Sequence, residues 1–185
     1  MRSLEGRTAL VVGGGGALGR AIALALSARG VRIVVTGRDE KPLGETVGEI
    51  AHGGGKARHV AGEGRASSVL DTAIARAKEI FGELDIVIDT ELTDVEYTFD
   101  ATAAHLRSPG RVLLVTAARS QESMAVLARE RAGASFAKGI TCNAIGVEGG
   151  DLDDSATDVG ELAVFLCTRA AERITGQSIA VRAGA

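Results

Sequence analysis

Residues 8–13, Thr-Ala-Leu-Val-Val-Gly, form an unbroken apolar run that meets the four consecutive glycines Gly13 to Gly16, and an Ala/Leu-rich stretch, 18–30, follows. A short, continuous apolar run of this kind is expected of a strand covered on both faces. The next stretch has the composition of a helix, and Gly30 stands where a helix C-terminal cap is expected. No other feature constrains the chain as strongly. A strand buried on both faces requires neighbouring strands in a parallel sheet and helices above and below it.

The rest of the sequence repeats the same alternation. Strands are predicted at 31–37, 57–61, 84–89, 110–117, 139–146 and 177–183. Helices are predicted at 41–52, 67–82 with Ser67 or Ser68 as N-cap, 94–107, 123–137 and 159–171. The expected architecture is an α/β, doubly wound parallel sheet of Rossmann type, about seven strands with helices on both faces and right-handed crossovers. At 185 residues the chain is expected to form a single domain over 1–185.

Composition narrows the function classes. With 3% aromatic residues, no Trp and one Tyr, the core must be aliphatic. The 25 glycines have no fixed period, which argues against collagen-like or repeat architectures. Net charge is −3 with acids and bases interspersed, so no nucleic-acid partner is expected. Cys142 and Cys167 lie in apolar segments and are expected to be buried free thiols. His52, His59 and His105 are too scattered for a zinc site. Residues 1–8 do not read as a signal peptide and no apolar run approaches the ~20 residues of a membrane span, so a cytoplasmic location is expected.

The glycines admit two readings, Gly13/Gly16/Gly19 or Gly14-x-Gly16-x-x-Gly19. Either supplies a tight turn, close backbone approach to a pyrophosphate, and a helix N-terminus whose N–H groups face the anion. Gly13, Gly15, Gly16, Ala17, Leu18 and Gly19 are therefore candidate cofactor contacts. A carboxylate at the tip of the second strand would accept a ribose 2′-OH and repel a 2′-phosphate. Here Thr36 stands at that tip and Arg38 follows, so NADP(H) is expected over NAD(H), with Asp39 weighing against.

These residues, with FGELDIVID, GITCNAI and ITGQSIAV, resemble the short-chain dehydrogenase/reductase family along nearly the whole chain, in order. The resemblance implies that Gly13, Gly16 and Gly19 form the cofactor turn, Ala17 standing where many members carry Gly. It places Glu63, followed by Gly64, where the family has an Asp that holds the adenine amino group. Asp89 and Thr90 fall where two Asn residues support the central strand and the cofactor. It also implies a homo-oligomer, dimer or tetramer, or pairing with a paralogue.

The catalytic part departs from the family. Members use a Tyr, a Lys four residues later and an upstream Ser that polarises the substrate carbonyl. This sequence has no Tyr-x-x-x-Lys, and its only Tyr, Tyr97, is followed four residues later by Ala101. Counted forward from GRVLLVTA, Ala117 matches the Ser; counted backward from GITCNAI, Ala117 also matches the Tyr, and the Lys position falls near Gln121. The simplest account is a deletion of the Ser-to-Tyr segment, and the segment after the sixth strand is expected to shrink to a short acidic loop containing Asp151, Asp153 and Asp154. Thr116, Ser120 and Ser123 are candidate hydroxyls, and Asp89 with Glu91 a candidate acid/base pair; capping and solvation are the competing roles. Catalytic residues are thus left unassigned. The functions open at this stage are an NADP(H)-dependent carbonyl/alcohol oxidoreductase with a reorganised site, a non-catalytic dinucleotide-binding sensor or structural partner, and a scaffold with a vestigial turn.

Overall fold

A computed structural model of the chain describes residues 4–62, 66–91, 95–117, 121–149 and 152–182. Strands β1 (Thr8–Val12), β2 (Arg32–Gly37), β3 (Ala57–Ala61), β4 (Leu84–Asp89), β5 (Leu106–Ala117), β6 (Ile140–Glu148) and β7 (Ser178–Arg182) form one sheet. Its order is β3-β2-β1-β4-β5-β6-β7 and every pairing is parallel. Helices α1 (Ala17–Ser27), α2 (Glu40–His52), α3 (Ala66–Phe81), α4 (Val95–Ala103), α5 (Gln121–Phe136) and α6 (Leu152–Cys167) connect the strands.

Both faces of the sheet are covered, as the continuous apolar strands require. On one face Ile22 and Leu26 of α1, Leu43 and Ile50 of α2, and Val159 and Ala163 of α6 pack on Val11, Ile33, Ile86, Leu113 and Ile145. On the other, Leu70 and Ile74 of α3 cover Leu10, Val34 and Val87, while Val95 and Phe99 of α4 and Ala128 of α5 cover Val112, Leu114 and Ala144. Apart from Phe99 the buried core residues named here are aliphatic, in line with the composition.

Several expected boundaries move, each for a local reason. Helix α6 begins at Leu152 rather than 159, so the expected acidic loop is largely helical. Asp153 and Asp154 occupy its first turn, where carboxylates favour the positive end of the helix dipole, and Ser155, Ala156 and Val159 bury one face. A separate 3-10 turn, Arg169–Ala171, takes the end of the predicted helix. Asp151 lies outside the described residues. Helix α4 stops at Ala103 rather than 107, because Leu106 already pairs with Leu84 and opens β5. Helix α3 starts at Ala66, so Ser67 and Ser68 stand inside it rather than at its N-cap. At the end of α1 the cap residue is Ala28, and Gly30, at φ +82°, carries the chain onward with its N–H donating to Ser27 O.

Cys142 and Cys167 are free and buried, and burial pushes both thiols up to about 12. Ellman's reagent at pH 8 should therefore label neither thiol in the folded protein and both in denaturant. Rapid labelling under native conditions would contradict this burial.

Candidate cofactor site

The strand order reverses between β1 and β4, and ligands of such sheets bind beyond the carboxyl ends of the strands at that point. The glycine turn leaves β1 here. Gly13 has φ +80°, and a Cβ there would overlap Thr90 Oγ1 and lie 2.8 Å from Glu91 Cγ. A Cβ on Gly19 would run into the Gly13 carbonyl, so α1 and the turn touch backbone to backbone. Gly16, by contrast, has room: the nearest atom to its Cβ position is 3.6 Å away. It serves as the extended N-cap residue of α1. The first helical bond, Arg20 N–H to Gly16 O at 2.8 Å, leaves the amides of Ala17, Leu18 and Gly19 ahead of the intrahelical ladder, at the positive end of the helix.

Neighbouring elements hold this turn in place. Gly13 N–H and Gly14 N–H both donate to Thr36 O, at 2.8 and 3.2 Å. Thr46 of α2 is buried and donates its hydroxyl to Gly14 O at 2.9 Å. Thr90 donates its amide and its hydroxyl to Val12 O, at 3.1 and 2.9 Å. Asp89, 1% exposed at the end of β4, accepts Glu91 N–H at 3.1 Å.

The cleft above this frame has a volume of about 280 Å³. Gly13, Gly15, Gly16, Arg38, Asp39 and Thr90 line it, together with Gly37, Pro42, Leu43 and Glu91. Six of the twelve sequence candidates thus line one opening, with Ala17, Leu18 and Gly19 at the helix start and Asp89 buried at the end of β4. Glu63, Gly64 and Ser120 lie outside the described residues. Thr36 is turned to the neighbouring strand: it is buried and its hydroxyl donates to Val60 O at 2.8 Å. Thr116 is buried near the end of β5, and Ser123 lies in a different groove, between α4 and α5, with Val95 and Met124. Tyr97 is on α4, its hydroxyl donating to Asp71 of α3 at 2.9 Å.

Sequence reasoning missed Thr46 and Pro42. The signal for Thr46 was a small polar residue inside a helical run next to the second strand, which periodicity alone does not flag. The cleft is electrostatically mixed. Partial desolvation raises the Glu91 carboxyl above its ordinary value, Arg38 pulls it down, and Asp89 pushes it up.

A parallel sheet with a glycine turn at its reversal point, opening into an N-terminal helix, defines a Rossmann-type α/β protein. Residues 7–90 match the family model for short chain dehydrogenases. The hydroxynaphthalene reductase-like protein Arp2 of Metarhizium anisopliae is 32% identical over 146 residues, covering 66% of this chain and 55% of that protein. The ketoacyl reductase HetN of a Nostoc species is 30% identical over 99 residues, 54% of this chain and 34% of its own length. The chain thus spans about half the length of the first of these relatives and a third of the second. The fold also matches a short-chain dehydrogenase/reductase from Serratia marcescens, with TM-score 0.88, 17% identity and 98% of each chain covered. A Burkholderia cenocepacia short chain dehydrogenase solved in complex with NADP matches with TM-score 0.86, 22% identity and 98% of each chain covered. Over residues 7–90 the chain matches the short-chain dehydrogenase family, and as a whole it shares the fold of solved proteins of that kind.

Proposed function

We propose that this chain binds NADP(H) in the cleft at the β1–β4 reversal. The single observation that carries the reading is the cradle itself. A Cβ at Gly13 would run into Thr90 and Glu91 and one at Gly19 into the Gly13 carbonyl, the N-terminus of α1 starts at this turn, and Arg38 lines the cleft. The residues present fit the group. The amides of Ala17, Leu18 and Gly19 would hold the pyrophosphate, and Arg38 a 2′-phosphate. A bound nicotinamide dinucleotide would supply or accept a hydride; this chain's residues bind and orient it. The crystallised relative with NADP supports the choice of nucleotide.

The match to the short-chain dehydrogenase family over residues 7–90 supports an oxidoreductase acting on carbonyl or alcohol groups as the formal activity. A second reading, a non-catalytic dinucleotide-binding sensor or structural partner of an active family member, is favoured by one specific observation. The sequence has no Tyr-x-x-x-Lys, β5 ends at Ala117 and α5 begins at Gln121. That spacing supports the reading that the Ser-to-Tyr segment has been deleted. Of the candidate groups, Thr116 is buried on β5, Asp89 is buried at the end of β4 and Glu91 lines the cleft; none has a Lys beside it in sequence.

NADPH at a hundredfold excess over its dissociation constant should stabilise the fold by about 2.7 kcal/mol. For a chain of this size that is a rise in Tm of about 5–10 °C. Arg38→Ala should lose most of the shift with NADPH and little of the shift with NADH. Equal loss with both nucleotides would remove Arg38 as the 2′-phosphate partner. Absorbance at 340 nm with loaded protein and a panel of ketones and quinones then separates the oxidoreductase from the sensor, since only the former consumes NADPH.

A further inference from the structure

We propose that Glu91 is a specificity-determining residue of the nucleotide cleft, whose carboxylate opposes a 2′-phosphate at Arg38 and so restrains the preference for NADP(H). The inference rests on the cleft being the nucleotide site. Four observations carry it. Glu91 follows β4, and its amide is tied to Asp89 Oδ1 at 3.1 Å, which fixes the backbone beside the glycine turn. Its Cγ lies 2.8 Å from where a Gly13 Cβ would be. Its Oε1 lies 3.4 Å from where a Gly37 Cβ would be. The side chain therefore crosses from the β1 turn to the end of β2 over two glycines that leave it room, and it lines the same cleft as Arg38.

In dinucleotide folds the end of β2 decides nucleotide choice: a carboxylate there accepts the 2′-OH, whereas an arginine pairs with the 2′-phosphate. This cleft carries both chemistries, from two different strands. Arg38 comes from the β2 end itself, and a carboxylate reaches the same place from the segment after β4. Asp39 also lines the cleft and Asp89 is buried beneath it, so Glu91 adds to an already acidic surround. A nucleotide 2′-phosphate must displace Glu91 from its electrostatic partner and then sit beside its charge. A 2′-OH meets neither obstacle and finds an acceptor.

The test is calorimetric titration of NADPH and NADH into the wild type, Glu91→Gln and Glu91→Ala. Gln keeps the length and the acceptor oxygen but removes the charge. The expected result is NADPH binding about fivefold tighter or more in both variants, with NADH binding changed less than about twofold in Glu91→Gln. A ratio of the two affinities that stays within about twofold of wild type in Glu91→Gln overturns the inference while leaving the nucleotide reading intact. If folded wild type, checked by circular dichroism, binds neither nucleotide, the nucleotide reading fails and the inference falls with it.

Discussion

Replacing Gly19 by alanine should lower stability by about 3 kcal/mol and abolish nucleotide binding together. The new methyl group would meet the Gly13 carbonyl, which is backbone and lies in a turn held from two sides. Gly13 and Gly14 are bonded to Thr36 O, and Thr46 is bonded to Gly14 O. The turn therefore has no direction in which to yield, and relief must come from moving the N-terminus of α1 away from β1. That movement carries off the amides of Ala17 and Leu18, which is why binding should fail along with stability. Gly16→Ala is the matched control. Its Cβ would find its nearest neighbour at 3.6 Å, so the only cost should be that of alanine as a poorer N-cap than glycine, about 0.5–1 kcal/mol. Urea unfolding followed by circular dichroism measures both. Equal midpoints for the two variants would contradict the steric account.

Asp85→Ala should cost about 3 kcal/mol for a different reason, at the opposite end of the sheet. Asp85 is 1% exposed on β4 and accepts the buried Thr8 N–H at 2.8 Å and Arg107 Nε and Nη2 at 2.9 and 2.6 Å. It thereby joins the first residue of β1 to the irregular opening of β5. Arg107 is half exposed, and Glu83 stands 3.0 Å from its Nη1, so it can be solvated when Asp85 is removed. The Thr8 amide cannot, and the penalty is mostly its lost acceptor. Asp85→Asn retains an acceptor oxygen and should recover about half of the loss. Thermal unfolding should place Asp85→Ala about 6–12 °C below wild type and Asp85→Asn between them. If the two variants melt together, the carboxylate charge rather than the Thr8 bond is the stabilising element.

Much of the architecture was legible in the residues because it depends on local pattern. The apolar run at Thr8–Val12 followed by glycines predicted the central strand, the turn and α1, and the alternation predicted the doubly wound sheet. Strands β3 and β4 begin and end where the pattern placed them, at 57–61 and 84–89. What escaped depends on which strands become neighbours. Val12 pairs with Asp89, a register that brings the segment after β4 over the glycine turn. Only that pairing turns Glu91 from a solvated loop acid into a lining residue facing Arg38. Thr46 escaped for the same reason, since its partner Gly14 is distant in sequence. The start of α6 was misplaced differently: Asp153 and Asp154 look like loop residues until the helix dipole gives them a use in its first turn. Thr36, read as the residue at the tip of β2, turned out to spend its hydroxyl on β3.

A dinucleotide held in the cleft at the β1–β4 reversal is tested most directly by calorimetric titration of the folded protein with NADPH. Saturable binding with one nucleotide per chain is expected, weakened about tenfold or more by Arg38→Ala. No binding heat at millimolar NADPH, from protein that melts cooperatively, would contradict it.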